Sequence, residues 1–170
     1  MPTKDGKISP SQIEDKIQRV NDQHHPQAKV ISISQPTEYG TVYSLEEISA
    51  ISAVAKKHGL YLHMDGSRIS NAAVRLNKTF RDFTSNVGVD ILSFGGTKNG
   101  LMFGEAIIFF RQDLANNFKY LRKQGMQLHS KMRFISAQFE ALLSNDCWKR
   151  NASHSNAMAH RPRPGVEAGI

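Results

Sequence analysis

The sequence predicts an α/β fold with a mostly parallel sheet and flanking helices. Short apolar runs bounded by glycine or polar residues alternate with segments in which apolar residues recur at helical spacing. This alternation is typical of parallel sheets, because a helix carries the chain back between neighbouring strands. The two apolar runs on either side of the stretch from Ser93 to Gly104 have no predicted helix between them. They predict one antiparallel pair within the sheet.

Length and composition favour one globular domain. The chain has 170 residues, of which 39% are hydrophobic and 22% charged. Its longest apolar run is far shorter than the roughly 20 residues of a membrane span, and residues 1–7 lack the apolar core of a signal peptide. The single cysteine, Cys147, excludes an intramolecular disulfide and is typical of the reducing cytosol. We therefore expect a cytoplasmic protein without a membrane partner.

The net charge of +7 raises the question of a nucleic-acid partner. The basic residues are scattered along the chain, however, and their densest window, 119–133, also has the apolar spacing of a helix. That pattern favours a solvated helix face, or a face that meets another subunit. We expect no binding to nucleic acid.

The first predicted elements are a helix over 10–20, with a proline in its first turn, and a strand over 30–33. Ser44 and Glu47 form a capping-box pattern, which predicts a helix that ends at Gly59. Later strands are predicted over 60–64, 89–92 and 106–110, later helices over 69–76, 113–123, 128–143 and 148–159, and an exposed connection over 75–86.

Polar side chains follow three of the predicted strands at their carboxyl ends. In open parallel sheets, ligands bind at this edge. The sequence therefore predicts a ligand site there. Its candidate residues are Gln35, Glu38, Asp65, Arg68, Ser93, Thr97 and Lys98.

Lys98 lies between two glycine-rich halves of the connection that joins two predicted strands. A solvated loop lysine is one interpretation. The other is a partly desolvated amine, because loss of solvent favours the neutral, nucleophilic form that attacks carbonyl carbons.

Asp65 directly follows an apolar strand, and a carboxylate in that position needs a cation or several hydrogen-bond donors. Three interpretations remain open: a metal ligand, a structural ion pair with Arg68, or a partner for a cationic cofactor. Lys98 on the neighbouring strand end favours the last. Pyridoxal 5′-phosphate needs a lysine for its aldehyde and an acid for its pyridinium nitrogen. Arg68 offers a planar fork that suits the carboxylate of an amino-acid substrate.

Four segments resemble the low-specificity L-threonine aldolases, which belong to the β-eliminating lyase group of pyridoxal-phosphate enzymes. The resemblance extends from about residue 5 to about residue 160 and implies part of the large domain of the aspartate aminotransferase fold, fold type I. The segments are QPTEYGTVYS (35–44), HMDGSRISNA (63–72), SFGGTKNG (93–100) and SKMRF (130–134).

The resemblance implies a role for each matching residue. Lys98 would bind the aldehyde of the cofactor covalently, and Asp65 would hold the pyridine nitrogen. Arg68 would bind the substrate carboxylate near the cofactor ring, with Thr97 as a neighbour. Arg133 would reach a cofactor phosphate across a subunit interface. The resemblance therefore also implies a homo-oligomer, a dimer or tetramer.

The implied activity is retro-aldol cleavage of threonine-like β-hydroxy-α-amino acids to glycine and an aldehyde. His63 is one candidate for the base that this reaction needs, and a residue outside these motifs or a water molecule is another. Two alternatives stay open: β-elimination from an amino acid, and a chain that folds or dimerises without binding cofactor.

The chain departs from the family pattern in length. Family members are about twice as long, and their phosphate-binding loop, ring-stacking histidine and small C-terminal domain have no counterpart here. We therefore expect residues 1–160 to form a partial large domain. Residues 161–170, with prolines at 162 and 164, are expected to be an irregular tail.

Overall fold

A computed structural model of the chain describes residue 3 and residues 5–160, so the predicted tail over 161–170 lies outside the described residues. The strands are β1 (Val30–Ser34), β2 (Tyr61–Gly66), β3 (Ile91–Gly95) and β4 (Glu105–Phe109). The helices are α1 (Pro10–Glu14), α2 (Leu45–Lys57), α3 (Ile69–Leu76), α4 (Phe118–Gln124), α5 (Met132–Leu143) and α6 (Cys147–Ala159), with 3₁₀ turns at Ser85–Val87, Thr97–Asn99 and Gln112–Ala115. Within this described part, no helix is long and apolar enough to cross a membrane.

The four strands form one mixed sheet in the order β1-β2-β3-β4. β1, β2 and β3 are parallel, and β4 runs antiparallel to β3, as the sequence predicts. The register places Ser34 beside Asp65 and Asp65 beside Ser93. Three consecutive strand ends therefore meet at one edge of the sheet.

The capping box predicted for α2 is present. Ser44 Oγ accepts from the Glu47 backbone N–H at 3.2 Å, and the Ser44 N–H donates to Glu47 Oε2 at 2.7 Å. Gly59 follows the helix with a φ of +64°, a left-handed conformation that glycine adopts without strain. These two signals fix where the chain turns between β1 and β2.

The hydrophobic core lies between one face of the sheet and helices α2 and α3. Alternate strand residues contribute to it, as expected for side chains that point to opposite faces along a strand. The strand contribution is Ile31, Ile33, Leu62, Met64, Leu92 and Phe94, and the helix contribution is Ile48, Ile51, Val54, Ala55, Ile69, Ala72 and Ala73. The residues between these strand positions, including His63, Asp65 and Ser93, face away from this core.

The prediction of a first helix over 10–20 is wrong beyond Glu14. Arg19 and Asn21 have φ values of +51° and +65°, which no right-handed helix accommodates. Val20 is 64% exposed, so it does not continue the apolar helix face. The apolar spacing was therefore misleading, because the polar residues around it form local turns.

The prediction of an exposed connection over 75–86 is wrong at Phe80, Phe83 and Thr84, although most of the other residues there are exposed. Phe83 and Thr84 are almost fully buried. The ring of Phe80 packs against Phe94 at a centroid distance of 5.4 Å and against Trp148 at 4.5 Å. Phe80 and Phe83 thus pack this segment against the hydrophobic core.

The predicted helices over 113–123 and 128–143 are shorter than expected. The first is divided into a 3₁₀ turn, Gln112–Ala115, and α4, and the second begins only at Met132. Met126 has a φ of +57°, so the chain turns between the two helices. Strands β2 and β3 also extend further than predicted, to Gly66 and Gly95.

Gly95 brings the end of β3 against the backbone of Ser67, which directly follows β2, and its replacement by alanine is expected to be disruptive. An added Cβ would lie 2.5 Å from Ser67 Cα, a contact with backbone that cannot move aside. We expect Gly95→Ala to lower the free energy of unfolding by about 1–3 kcal/mol, the usual cost of overpacking, or more. Urea unfolding measures the change. Gly125→Ala is the control, because its φ is negative and its nearest neighbour would be 3.2 Å away; equal losses in the two variants would contradict the expectation.

Candidate active site at the carboxyl edge of the sheet

The predicted strand-end residues do gather at the carboxyl edge of the sheet. Asp65 is the penultimate residue of β2, and its register partner Ser93 lies on β3. The backbone N–H of Gln35 donates to the carbonyl of Asp65 at 2.8 Å, which joins the end of β1 to this edge. The expectation that three strand ends converge is therefore confirmed in geometry.

Asp65 is a half-buried carboxylate with one oxygen already engaged. Its Oδ1 accepts from the Ser67 backbone N–H at 2.9 Å and from Ser67 Oγ at 2.6 Å. Burial acts to raise the pKa of Asp65, but these hydrogen bonds and the positive charges of His63 and Lys98 outweigh it and hold the pKa below its ordinary value. Its Oδ2 accepts no hydrogen bond from the described residues, so an ionised oxygen remains available at the sheet edge.

Removing the Ser67 hydroxyl is expected to raise the pKa of Asp65. A carboxyl whose pKa is lowered by folding stabilises the fold above its unfolded pKa, and this stability is lost as pH falls through the folded pKa. Ser67→Ala should therefore move the loss toward the ordinary pKa of 3.8. A carboxyl-carbon NMR titration between about pH 2 and 6 measures the shift. Ser153→Ala, on exposed α6 surface, should leave the pKa of Asp65 unchanged; an unmoved titration in Ser67→Ala would contradict the assignment.

Lys98 lies in the 3₁₀ turn Thr97–Asn99, directly after β3. The expectation of partial desolvation is wrong in the described structure, where Lys98 is exposed. Gly95 and Gly96 lead from the sheet into this turn. Because they have no side chains, the backbone can pack closely against Ser67 and Gly104. Lys98 makes no hydrogen bond or ion pair with the described residues, so no protein group there competes for its side-chain nitrogen.

The start of this turn is held by a carboxylate on the antiparallel strand. Glu105, at the beginning of β4, accepts from the backbone N–H groups of Gly96 and Thr97 at 3.2 and 3.3 Å. The Thr97 hydroxyl donates to the carbonyl of Gly104 at 3.4 Å. Thr97 is thus a neighbour of Lys98 whose own contacts lead away from Asp65.

Arg68 lies at the N-terminus of α3 and pairs with Glu38, not with Asp65. Its Nη1 is 3.0 Å from Glu38 Oε1. The side chain of Arg68 is 37% exposed and that of Glu38 is 80% exposed, so the pair lies at the surface. The interpretation of Asp65 as the structural partner of Arg68 is therefore wrong, because Arg68 is paired with Glu38 and Asp65 with Ser67.

His63 is held between two serines on the face of the sheet opposite the core. Its Nδ1 is 2.8 Å from Ser32 Oγ and its Nε2 is 2.9 Å from Ser93 Oγ, so the three side chains form a row across β1, β2 and β3. Burial lowers the pKa of His63 from its ordinary value, and the charge of Asp65 partly opposes this shift. The unfolded chain therefore binds a proton on His63 more readily than the folded chain does. As a result, the folded state is destabilised at pH values below the ordinary pKa of histidine.

Arg133 lies in the first turn of α5, away from the strand ends. It is exposed, and its guanidinium lies 4.7 Å from the ring centroid of Phe134. No contact joins it to Asp65 or Lys98 in the described part of the chain. Within one chain, the structure does not bring Arg133 into the candidate site.

Sequence reasoning missed the contacts of Asn99, which is buried beside Lys98. In the sequence, Asn99 is visible only as an asparagine in the TKNG stretch. Exposed turns often contain asparagine, so its burial could not be predicted.

The metal interpretation of Asp65 is not supported by its surroundings. Within residue 3 and residues 5–160, no three histidine, cysteine, aspartate or glutamate side chains are grouped as metal ligands would be.

The sheet edge that carries Asp65, Arg68 and the turn with Lys98 belongs to an α/β fold of the fold type I class. The chain belongs to the beta-eliminating lyase family, whose model matches residues 1–168. Enzymes of this family depend on pyridoxal phosphate.

Two bacterial relatives are similar along nearly the whole chain. It is 48% identical to the low specificity L-threonine aldolase of Pseudomonas aeruginosa over 92% of this chain and 45% of that protein. It is 47% identical to the enzyme of the same name from a Pseudomonas species, over 95% of this chain and 49% of that protein. The chain thus spans about half the length of the relatives it matches.

A solved structure supports the fold independently. The threonine aldolase of Leishmania major, a fold type I enzyme, superposes on 94% of this chain with a TM-score of 0.87 and 35% identity, and the match covers 46% of that chain. The predicted fold class is confirmed.

Proposed function

We propose that this chain supplies the strand-edge half of a pyridoxal-phosphate site in an enzyme that cleaves threonine-like β-hydroxy-α-amino acids to glycine and an aldehyde. The proposal rests on two groups at adjacent strand ends that have no partner among the described residues. They are the side-chain nitrogen of Lys98 and Oδ2 of Asp65. Similarity to two threonine aldolases over more than nine-tenths of the chain supports this reaction.

The donor set fits the cofactor. Asp65 stays ionised because its pKa is lowered, so its Oδ2 can accept from a protonated pyridine nitrogen. Lys98 offers an amine for the aldehyde. When bound, the cofactor supplies an electron sink for the pair of electrons left on Cα when the Cα–Cβ bond of the substrate breaks.

Arg68 is the proposed anchor for the substrate carboxylate, because its guanidinium presents two parallel donors. Glu38 already places a carboxylate on this guanidinium, and a substrate would take its place. His63 is the proposed proton acceptor among the described residues, and its path to a substrate runs through the hydroxyl of Ser93. Arg133 is proposed to act on a partner chain's cofactor phosphate in a homo-oligomer.

Freeing Arg68 from Glu38 is expected to tighten carboxylate binding. An exposed ion pair contributes about 0.2–1 kcal/mol, so Glu38→Gln should bind acetate about 1.4-fold to fivefold more tightly. The Arg68 Nε–H resonance reports the titration. Asp113→Asn is the matched control, because it frees Arg111 from a similar exposed pair far from the strand ends. If Glu38→Gln and Asp113→Asn bind acetate at Arg68 equally well, the proposed anchor loses its support.

Product analysis tests the reaction. After incubation with pyridoxal phosphate, threonine should yield glycine and acetaldehyde, whereas β-elimination would yield ammonia and a keto acid. The family description favours β-elimination as the second candidate, and tryptophan as substrate distinguishes it by release of indole. A chain that takes up no cofactor would contradict both activities for the 170-residue chain.

A further inference from the structure

We propose that Asn99 is a positioning residue, which fixes the turn that carries Lys98 to the helix that begins beside Arg68. The proposal rests on the proposed function, because its importance for catalysis depends on the roles of those two groups. Its structural basis is a set of hydrogen bonds that join the turn Thr97–Asn99 to helices α3 and α6.

The side chain of Asn99 links all three elements. It is 7% exposed, and its Nδ2 donates to Ser70 Oγ at 2.9 Å and to the carbonyl of Trp148 at 3.2 Å. Ser70 lies in the first turn of α3 and is fully buried, and Trp148 lies in the first turn of α6. A buried amide with both N–H groups satisfied holds its neighbours in one arrangement, because breaking either bond leaves a buried polar group unpaired.

The backbone of Asn99 is held as well. Its carbonyl accepts from Asn151 Nδ2, in α6, at 2.8 Å. Gly100 makes room for this contact: its φ is +122°, and an added Cβ would lie 2.9 Å from Asn151 Nδ2. The Asn99 side chain thus ties the turn to both α3 and α6, and the Asn99 backbone carbonyl adds a second tie to α6. Together these contacts form a clamp on the turn.

The clamp joins the two groups that an α-amino acid needs. Lys98 directly precedes Asn99, and Arg68 lies two residues before Ser70. Lys98 would hold the cofactor aldehyde, which the substrate amine must reach, and Arg68 would hold the substrate carboxylate. The amine and the carboxylate are attached to the same carbon, so Lys98 and Arg68 must keep a fixed separation. Asn99 sets that separation through one hydrogen bond to Ser70.

Simple helix packing is the alternative explanation, and the chain contains its own control for it. Asn71 and Asn156 join the same two helices, α3 and α6, through hydrogen bonds of 2.9 and 3.1 Å. Neither residue has a hydrogen bond to the turn that carries Lys98 in the described part of the chain. Asn156→Ala therefore removes an equivalent helix contact and leaves the clamp intact.

Hydrogen exchange on the cofactor-free chain tests the clamp. The N–H groups of Asn99 and Leu101 both donate to the carbonyl of Gly96, at 3.0 and 3.2 Å, and report the order of the turn. Asn99→Ala and Asn151→Ala should each speed exchange at Leu101 about tenfold, which corresponds to ~1.4 kcal/mol of local stability. Asn156→Ala should not. Unchanged exchange in both clamp variants, or an equal change in Asn156→Ala, would overturn the proposal. Asn151→Ala keeps the test valid if Asn99→Ala fails to fold, since Asn151 is exposed.

Borohydride trapping with pyridoxal phosphate then reports on Lys98 itself. In wild-type chain the trapped label should lie on Lys98, and the rate of labelling should fall about fivefold or more in Asn99→Ala and Asn151→Ala but not in Asn156→Ala. An equal rate in all four proteins would overturn the positioning role. Absence of label on wild-type Lys98 would instead refute the proposed function, and the exchange experiment would still decide whether Asn99 orders the turn.

Discussion

Replacing Lys98 with glutamine is expected to abolish covalent capture of pyridoxal phosphate and to reduce threonine cleavage by about a thousandfold or more, as for other residues that bond to the reacting species. Glutamine keeps most of the length of the side chain but has no nucleophilic nitrogen. The turn should remain folded, because it is held by Asn99 and Glu105 and not by the Lys98 amine. Peptide mass spectrometry after borohydride reduction locates the label.

The control for this substitution is Lys149→Gln on α6. Both lysines are exposed, so the two variants lose the same charge and a similar solvated side chain. Lys149→Gln should retain the label on Lys98 and the full rate of cleavage. A label that persists in Lys98→Gln at the wild-type level would assign the covalent role to another lysine.

Replacing Asp65 with asparagine is expected to lower the rate of cleavage by about a hundredfold to a thousandfold, the size of one lost electrostatic contact with developing charge. The amide oxygen can still accept from Ser67 Oγ and from its N–H, so the local backbone should not change. The negative charge that would keep the pyridine nitrogen protonated is gone. Labelling of Lys98 should persist, because the amine is untouched.

The two readouts separate this effect from a loss of structure. Asp113→Asn removes an equal charge from an exposed ion pair and should not change the rate of threonine cleavage. If Asp65→Asn cleaves threonine at the wild-type rate, Asp65 does not hold the cofactor ring. If Asp65→Asn instead loses both threonine cleavage and the label on Lys98, the role of Asp65 is to maintain the strand edge.

The strand ends could be predicted because their signals are local. Apolar runs of strand length, the capping box at Ser44 and the glycine at 59 each depend on a few neighbouring residues, and parallel topology then brings Asp65 and Lys98 to one edge. The antiparallel strand β4 was predicted from the absence of an intervening helix. These features need no knowledge of distant side chains.

Side-chain partners could not be predicted in the same way. Spacing placed Arg68 three residues from Asp65, but its guanidinium reaches Glu38, thirty positions earlier in the chain. The contacts of Asn99 with Ser70 and Asn151 likewise depend on how α3 and α6 pack. The exposure of Lys98 also follows from tertiary structure, because no covering segment lies over the turn in the described part of the chain.

The order of the strands in the sheet has a consequence for how the site forms as the protein folds. Each strand pairs with the next one along the chain, so no pairing has to wait for a distant segment to return. Loop closure over about thirty residues costs little more entropy than closure over a shorter loop, and no parallel pair in this sheet requires a longer closure. The edge that presents Asp65 and Lys98 can therefore form early, as soon as β2 and β3 pair, and the helices at the end of the chain then lock the lysine turn in place.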